Sequence, residues 1–288
     1  MLYLDAPTTR KALPMVDAIE AMEHAFTGHS ETPLRTLVGG SLVMPGRLDD
    51  HIAVKVVSVV PGNPTGLVIL FGPDGSPVGI VDGPTLTAIR TGAVCGLATR
   101  VLCPEEVTTM AMLGAGAMAL DQVEAVRAVR PIDTVLVWSR SPGHARDLAD
   151  RIGGVAVSDA DEAVSAADVV SCATPATTPL FRGSSVAPGG HVNAVGAFTP
   201  EMAELPSDLL EQAFVVVDDY EAAAAEAGDL IQCGRAPDAS LNEVLTGERR
   251  AASGIKTVFK SVGVAAQDVA AAQRALSNAA EQGLGVSL

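Results

Sequence analysis

Residues 107–129 read VTTMAMLGAGAMALDQVEAVRAV: an apolar run, a glycine-containing turn and a helical pattern in direct succession. Gly114, Gly116 and Ala119 match the G-x-G-x-x-G/A spacing that holds a dinucleotide pyrophosphate at a helix N-terminus. The first glycine permits the tight turn, the second lets the backbone approach the pyrophosphate, and the alanine keeps helix and strand close. An ordinary strand-to-helix turn is the alternative. The context of strand, loop and helix favours a dinucleotide-binding α/β domain.

The middle of the chain continues this pattern with short apolar runs that alternate with helical stretches. Runs of four to seven residues between helices are typical of a parallel sheet covered on both faces. The runs are 107–113, 134–138, 155–158, 168–174, 191–197 and 214–219.

The first 104 residues predict a different architecture. After a helix near 14–27 come five strand-like segments between 34 and 83, joined by the turn signals PGNPTG (61–66) and GPDGS (72–76). Such turns are typical of a mostly antiparallel meander. A helix then runs from about Pro84, since proline suits a first helical turn, to Pro104.

The C-terminal segment 267–283 predicts a last helix, which the meander can recruit. We therefore predict an α/β fold in which a Rossmann-type parallel-sheet domain, 105–255, is inserted in an α+β meander domain, 1–104 plus 256–288.

Composition and charge exclude several classes of protein. The chain has 288 residues, 48% of them hydrophobic, which excludes a disordered protein. Its formal charge of -15 repels phosphate backbones, so no nucleic-acid partner is expected. No apolar run reaches the roughly 18 residues of a membrane span, so we expect a cytoplasmic protein without a membrane partner. The four cysteines lack CxxC spacing, and we expect neither a metal nor a disulfide framework.

The end of the second strand of the α/β domain selects the cofactor. Domains specific for NAD place an acidic residue there to bind the ribose 2′-OH, whereas this chain has Ser139-Arg140-Ser141, followed by His144. A guanidinium and two hydroxyls can bind a 2′-phosphate. A solvated surface arginine is the alternative. The pattern favours NADPH, with NADH possible.

Three cations in the meander domain suggest an anion site. The chain has four lysines, and one of them, Lys55, lies inside the apolar strand IAVKVVSVV. Arg90 falls near the start of the helix that follows the meander, and Arg35 lies in PLRTLV. An edge-strand lysine directed to water is the alternative for Lys55. Each residue alone suits a structural role, and only together do they indicate anion binding.

These segments together resemble the ornithine cyclodeaminase/μ-crystallin family. The resemblance runs in order through nearly the whole chain. The segments that carry it are VMPG (43–46), AVKVVSVVPGNP (53–64), VDGPTLTAIRTGA (81–93), LGAGAMA (113–119), VWSRSP (137–142), AVGAFTPEMAEL (194–205), EAGDL (226–230) and TVFKSVG (257–263).

The resemblance implies a Rossmann domain plus a substrate-binding meander domain that pairs with its twin in a homodimer. It also implies that Arg35, Lys55 and Arg90 hold a substrate carboxylate, with Lys55 as the catalytic proton donor. The residues implied to contact the cofactor are Thr87, Arg90, Gly114, Gly116, Ala117, Met118, Ser139, Arg140, Ser141, His144, Ala173, Thr174 and Val195, with Lys260 near the nicotinamide end.

Two departures from the family pattern select an activity. Cyclodeaminases of the family resemble one another in an aspartate at the place of Phe198, and phenylalanine can neither take a proton nor pair with an ammonium. They also suit bound NAD, for which Ser139-Arg140 is a poor match. Both departures favour an NAD(P)H-dependent reductase that converts a cyclic imino acid, Δ1-pyrroline-2-carboxylate or Δ1-piperideine-2-carboxylate, to L-proline or L-pipecolate. Ornithine cyclodeaminase, an alanine dehydrogenase-like enzyme and a non-catalytic NADPH-binding crystallin are the alternatives.

Overall fold

The computed structural model describes residues 1–60 and 65–288 and divides into two compact units. Unit 1 comprises Met1–Val94 and Gly263–Leu288, and unit 2 comprises Cys95–Val262. The predicted turn PGNPTG begins with 61–64, which lie outside the described residues.

Strands and helices are numbered here in chain order. The strands are β1 (Leu2–Leu4), β2 (Ser30–Glu31), β3 (Thr36–Val38), β4 (Ser41–Leu48), β5 (His51–Ser58), β6 (Gly66–Phe71), β7 (Pro77–Asp82), β8 (Thr109–Leu113), β9 (Thr134–Trp138), β10 (Val155–Ala156), β11 (Val169–Cys172), β12 (His191–Ala194), β13 (Phe214–Val217), β14 (Ala239–Ser240), β15 (Thr257–Lys260) and β16 (Val286–Ser287). The helices are α1 (Ala6–Ala12), α2 (Met15–Thr27), α3 (Gly83–Leu102), α4 (Ala119–Val129), α5 (Pro142–Ile152), α6 (Ala160–Ser165), α7 (Ser207–Gln212), α8 (Tyr220–Glu226), α9 (Gly228–Cys233), α10 (Leu241–Leu245) and α11 (Ala265–Gln282).

Unit 1 is built on a mostly antiparallel sheet with the order β16-β1-β7-β6-β5-β4-β2, and β3 pairs with β4. The strands β4 to β7 follow one another antiparallel, which confirms the predicted meander. One face of the sheet is covered by α11, which also packs on α2. Burial alternates along β5, where Ala53 and Lys55 are buried while Ile52 and Val56 are exposed. The period of two thus places Lys55 on the covered face.

Unit 2 is built on a parallel sheet with the order β10-β9-β8-β11-β12-β15-β13-β14. Its central strands β11, β12 and β15 are buried at every position, as expected for a sheet with both faces covered. This confirms the parallel-sheet domain predicted from the alternating pattern.

The boundaries of the units differ from the domain boundaries drawn from the sequence. The first boundary lies inside α3, between Val94 and Cys95, rather than after residue 104. The second follows Val262 rather than residue 255, because β15 pairs with β12 and β13 in the parallel sheet. The C-terminal half of α3 is held in unit 2 by Arg130, which donates to carbonyl oxygens of Thr99 and Cys103. None of the helices in the described ranges is long and apolar enough to cross a membrane.

Candidate functional site

Lys55 occupies the middle of the sheet in unit 1. Its strand, β5, pairs with both β4 and β6, which place the buried side chains Met44 and Val68 directly opposite it. Lys55 itself is 2% exposed. Because β5 has a partner on each side, the alternative of an edge-strand lysine directed to water is wrong. An ammonium buried this deeply needs a charged partner.

That partner is Asp268, in the first turn of α11. One of its carboxylate oxygens, Oδ2, lies 2.7 Å from Lys55 Nζ, and the other, Oδ1, lies 3.3 Å from Arg90 Nε. The Asp268 side chain is 2% exposed. One carboxylate therefore bridges the two cations that the sequence singled out, from a helix that the sequence analysis did not connect with them.

Arg90 is held by two further features of unit 1. Its NH1 donates to Oε1 of Gln267, the neighbour of Asp268, at 2.7 Å. The guanidinium also lies against Gly263, where a Cβ would come within 2.8 Å of NH1. Gly263 has a φ of +84°, a conformation that other residues adopt at a cost. Arg90 is 5% exposed, so its orientation is fixed by these neighbours and not by solvent.

The charges around Lys55 change its acidity. Burial lowers the pKa of Lys55 to about 8, Asp268 opposes the shift, and Arg90 and Arg35 add to it. Arg35 lies just before β3 and is half-buried. The lowered pKa confirms the sequence-based expectation of a lysine depressed by burial beside arginines. At neutral pH this ammonium is still mostly protonated, and it gives up a proton more readily than an exposed lysine does.

Several buried polar atoms around Arg90 have no hydrogen-bond partner among the described residues, although Arg90 Nε and the Asp268 oxygens take part in ion pairs. The uncharged ones include Thr87 Oγ1, one turn before Arg90 on α3, and Gln267 Nε2. Because a guanidinium can only donate, the Gln267 side chain turns its amide oxygen toward Arg90. The NH₂ group of Gln267 is then available to another acceptor. Buried donors without a partner are costly, and a polar ligand would satisfy them.

In unit 2 the loop between β8 and α4 has the geometry of a pyrophosphate cradle. Gly114 has a φ of +107°, and a Cβ there would come within 2.6 Å of the Ala173 carbonyl oxygen. A Cβ on Gly116 would meet no atom within 4 Å, so the backbone there borders open space. Ala119 is fully buried as the first residue of α4. These residues fit a dinucleotide at the helix N-terminus.

A cavity of about 520 Å³ extends from this loop. Its lining residues include eight that the sequence predicted. These are Gly114, Gly116, Ser139, Arg140, Ser141, His144, Ala173 and Thr174. No carboxylate belongs to the lining within the described part of the chain, and Trp138, the one tryptophan of the sequence, does. An exposed Arg140 beside two serine hydroxyls suits a phosphate better than a ribose 2′-OH alone.

The other six predicted cofactor contacts do not belong to this lining. Ala117 is exposed in the loop before α4, Met118 is the residue before that helix, and Val195 is buried just after β12. Lys260, at the end of β15, is completely buried. Thr87 and Arg90 belong to unit 1. Direct contact of these residues with a cofactor stays a prediction.

Lys260 belongs to a buried ionic network that the sequence analysis missed. Its Nζ lies 2.8 Å from Asp229 Oδ2 and donates to the Ala197 carbonyl oxygen. Asp229 Oδ1 in turn accepts from the backbone N–H groups of Glu204 and Leu205. The signal was present in the sequence as isolated acids in EMAEL and EAGDL, where a buried charge needs a partner.

Glu204 ties together the segments that follow β11 and β12. Its Oε1 accepts from Thr174 N and Oγ1 at 2.6 and 2.8 Å, and its Oε2 accepts from Gly196 N at 2.7 Å. Burial raises the pKa of Glu204, partly offset by Lys260. The network therefore fixes the backbone at the carboxyl ends of two parallel strands, where ligands of such sheets bind. Phe198, 39% exposed, follows directly and supplies no carboxylate.

Comparisons with known proteins agree with one another. The model of the ornithine cyclodeaminase/mu-crystallin family matches residues 9–283. A Δ1-pyrroline-2-carboxylate reductase of Bacillus cereus is 35% identical over 99% of this chain and 98% of its own length. The ketimine reductase mu-crystallin of Mus musculus is 36% identical over 90% of this chain and 89% of its own length. The structure of Thermococcus litoralis Δ1-pyrroline-2-carboxylate reductase, in complex with NADH and L-proline, matches with a TM-score of 0.94 at 32% identity and covers 100% of both chains.

Proposed function

Because the chain belongs to the ornithine cyclodeaminase/mu-crystallin family, we propose that it reduces a cyclic ketimine acid. It is an oxidoreductase that acts on a C=N bond with a nicotinamide cofactor. Δ1-Pyrroline-2-carboxylate, giving L-proline, is the first candidate substrate, and Δ1-piperideine-2-carboxylate, giving L-pipecolate, is the second.

The buried charges of unit 1 carry this proposal. Among the residues that the structure describes, Lys55 and Arg90 bring two buried positive charges and Asp268 brings one buried negative charge, so the site carries one positive charge in excess. A single ligand carboxylate would balance it, and Arg35 adds attraction from a half-buried position. Buried charges are costly unless they are paired, which favours a monocarboxylate as the ligand.

Phe198 supports reduction over deamination. Release of ammonia from ornithine needs a group that accepts a proton from the amine, and a phenyl ring cannot do so. The exposed ring provides an apolar surface at the position where cyclodeaminases of the family resemble one another in an aspartate.

The chain's own residues bind the substrate and move the proton. The ammonium of Lys55 has three donors and forms an ion pair with one oxygen of Asp268, so donors are left for the substrate carboxylate and the ring nitrogen. Proton transfer from Lys55 to the imine nitrogen makes C2 electrophilic. A bound nicotinamide cofactor supplies the hydride that C2 accepts. Lys55 then regains a proton from solvent, and the amino acid leaves.

For the cofactor we propose a preference for NADPH over NADH. The support is Arg140 with Ser139 and Ser141 in a cavity lining without carboxylates among the described residues. The Thermococcus litoralis relative was solved with NADH, which supports a nicotinamide cofactor in either form.

Initial rates with a panel of substrates test the proposed function. The protein should oxidise NADPH with Δ1-pyrroline-2-carboxylate or Δ1-piperideine-2-carboxylate much faster than with pyruvate plus ammonia. It should release no ammonia from ornithine. Tight NADPH binding without turnover of any of these substrates would favour a crystallin-like binding protein instead.

We also propose that the protein forms a homodimer through residues 34–83. The face of the unit 1 sheet opposite Lys55 exposes apolar side chains, among them Ile52, Val56, Leu67 and Val78, each at least 38% exposed. An apolar face of this kind is typical of a protein interface. Light scattering should give twice the chain mass at micromolar concentration, and a stable monomer would contradict the proposal.

A further inference from the structure

Asp268 occupies a position that the reaction alone does not explain. A substrate carboxylate needs cations, yet the buried site contains an anion that competes for the same two groups. A bridging carboxylate that only stabilised the fold would not need to hold both of the cations proposed to bind the substrate.

Side chains in the first turn of α11 fix the positions of both cations. Its first turn places the Asp268 oxygens on Lys55 Nζ and Arg90 Nε, and the Gln267 amide oxygen on Arg90 NH1. The guanidinium is thus held on two of its nitrogens from one helical turn, and its plane is fixed against Gly263. These contacts restrict the rotamers of both cations. Such preorganisation lowers the entropic cost of binding a carboxylate.

We propose that Asp268 is a positioning residue, which keeps the Lys55 ammonium charged and aims it and the Arg90 guanidinium at the substrate. The proposal rests on the proposed function for the identity of the substrate, but not for the state of Lys55.

The charges that face Lys55 come from three elements. Asp268 on α11 favours the ammonium, whereas Arg90 on α3 and Arg35 before β3 disfavour it. The neighbouring strands contribute the apolar Met44 and Val68. Asp268 is therefore the group that opposes burial and two arginines, and without its charge the pKa of Lys55 would fall below its value of about 8.

Lysine NMR tests this without any turnover. The chain has four lysines, so protein labelled with 13C at the lysine ε-carbon gives a simple spectrum, in which Lys55→Met identifies the Lys55 signal. In the unmodified protein that signal should titrate near pH 8. In Asp268→Asn it should titrate at least about one pH unit lower, because an opposite charge at hydrogen-bond distance shifts a pKa by roughly 1–3 units.

The activity should follow the same titration. The proton donor is the charged form, so kcat/KM should fall above about pH 8 in the unmodified protein and at lower pH in Asp268→Asn. Asp168→Asn is the matched control, because Asp168 accepts from Thr108 N and Thr109 N in unit 2 and should leave both titrations unchanged.

Asp268→Glu keeps the proposal testable if Asp268→Asn does not fold. Its charge is retained, so Lys55 should titrate within about half a pH unit of its original value, while KM for the imino acid should rise because Arg90 is misplaced. An unchanged Lys55 titration in Asp268→Asn would overturn the proposal, as would an unchanged titration and KM in Asp268→Glu. If the titration shifts while no imino acid is reduced, the positioning role stands and the proposed substrate fails.

Discussion

Among the residues that the structure describes, two buried lysine–aspartate pairs of almost equal length lie in opposite surroundings. Lys55 and Asp268 lie 2.7 Å apart in unit 1, and Lys260 and Asp229 lie 2.8 Å apart in unit 2. The first pair is joined by the cation Arg90. In the second pair, Asp229 accepts hydrogen bonds from two backbone N–H groups, and a further carboxylate, Glu204, interacts with Lys260.

The difference shows that a buried ion pair takes its role from the charges and hydrogen bonds around it. Among the described residues around Lys55 the cations outnumber the anions, and Thr87 Oγ1 and Gln267 Nε2 lack hydrogen-bond partners. A ligand carboxylate would complete the balance of charge. Around Lys260 the backbone of Glu204 and Leu205 is bound by Asp229, and Ala197 is bound by the lysine. The first arrangement suits chemistry on a bound anion, and the second suits a fixed strand-end backbone.

Removal of Lys55 should have the largest effect. Lys55→Met should lower kcat/KM by at least about 10³-fold, since it removes both a carboxylate contact and the proton donor. Lys55→Arg should restore little, because a guanidinium does not release its proton near neutral pH. Trp138 lines the cavity in unit 2 that is proposed to bind the cofactor, and energy transfer from it should show nearly normal NADPH binding.

The control for Lys55→Met is Lys11→Met, which removes an exposed lysine of the same unit and should keep full activity. If the Lys55→Met protein kept more than a tenth of the original activity, the Lys55–Asp268 pair would have no catalytic role that sets it apart from the Lys260–Asp229 pair.

Removal of Lys260 should act on stability instead. Lys260→Met leaves Asp229 and Glu204 as uncompensated buried carboxylates, and the free energy of unfolding should fall by about 3–5 kcal/mol. Urea titration measures the loss. Lys256→Met, which removes a half-buried lysine that donates to the Gly183 carbonyl, should cost less than about 1.5 kcal/mol. Equal losses in the two variants would mean that the ionic network around Lys260 does not stabilise the fold more than the single hydrogen bond of Lys256 does.

Removal of Arg140, an exposed cation of unit 2, should have the smallest effect on activity. Arg140→Ala should reduce the preference for NADPH over NADH by about tenfold, since a charge-assisted hydrogen bond contributes roughly 1.5–3 kcal/mol and part of that is screened by solvent. The ratio of kcat/KM for the two cofactors measures it. An unchanged ratio would show that Arg140 does not bind the 2′-phosphate.

The strand that contains Lys55 could be predicted from the sequence, whereas the acidic partners of Lys55 and Lys260 could not. The alternation in IAVKVVSVV places Lys55 on the covered face, and the glycine spacing locates a loop that lines the cavity of unit 2. Asp268 was missed because it lies in a helix far along the chain, and no local pattern links that helix to β5. The strand β15 was assigned to the wrong side of the domain boundary, since a short apolar run does not specify which sheet it joins.

Transfer of deuterium from labelled NADPH to the product tests the proposed reduction of the C=N bond. With the cofactor deuterated at the transferring position of its nicotinamide ring and Δ1-pyrroline-2-carboxylate as substrate, mass spectrometry should detect L-proline with one deuterium at C2 for each NADPH consumed. Unlabelled product, or ammonia released from ornithine without any oxidation of NADPH by the imino acid, would rule out the proposed hydride transfer.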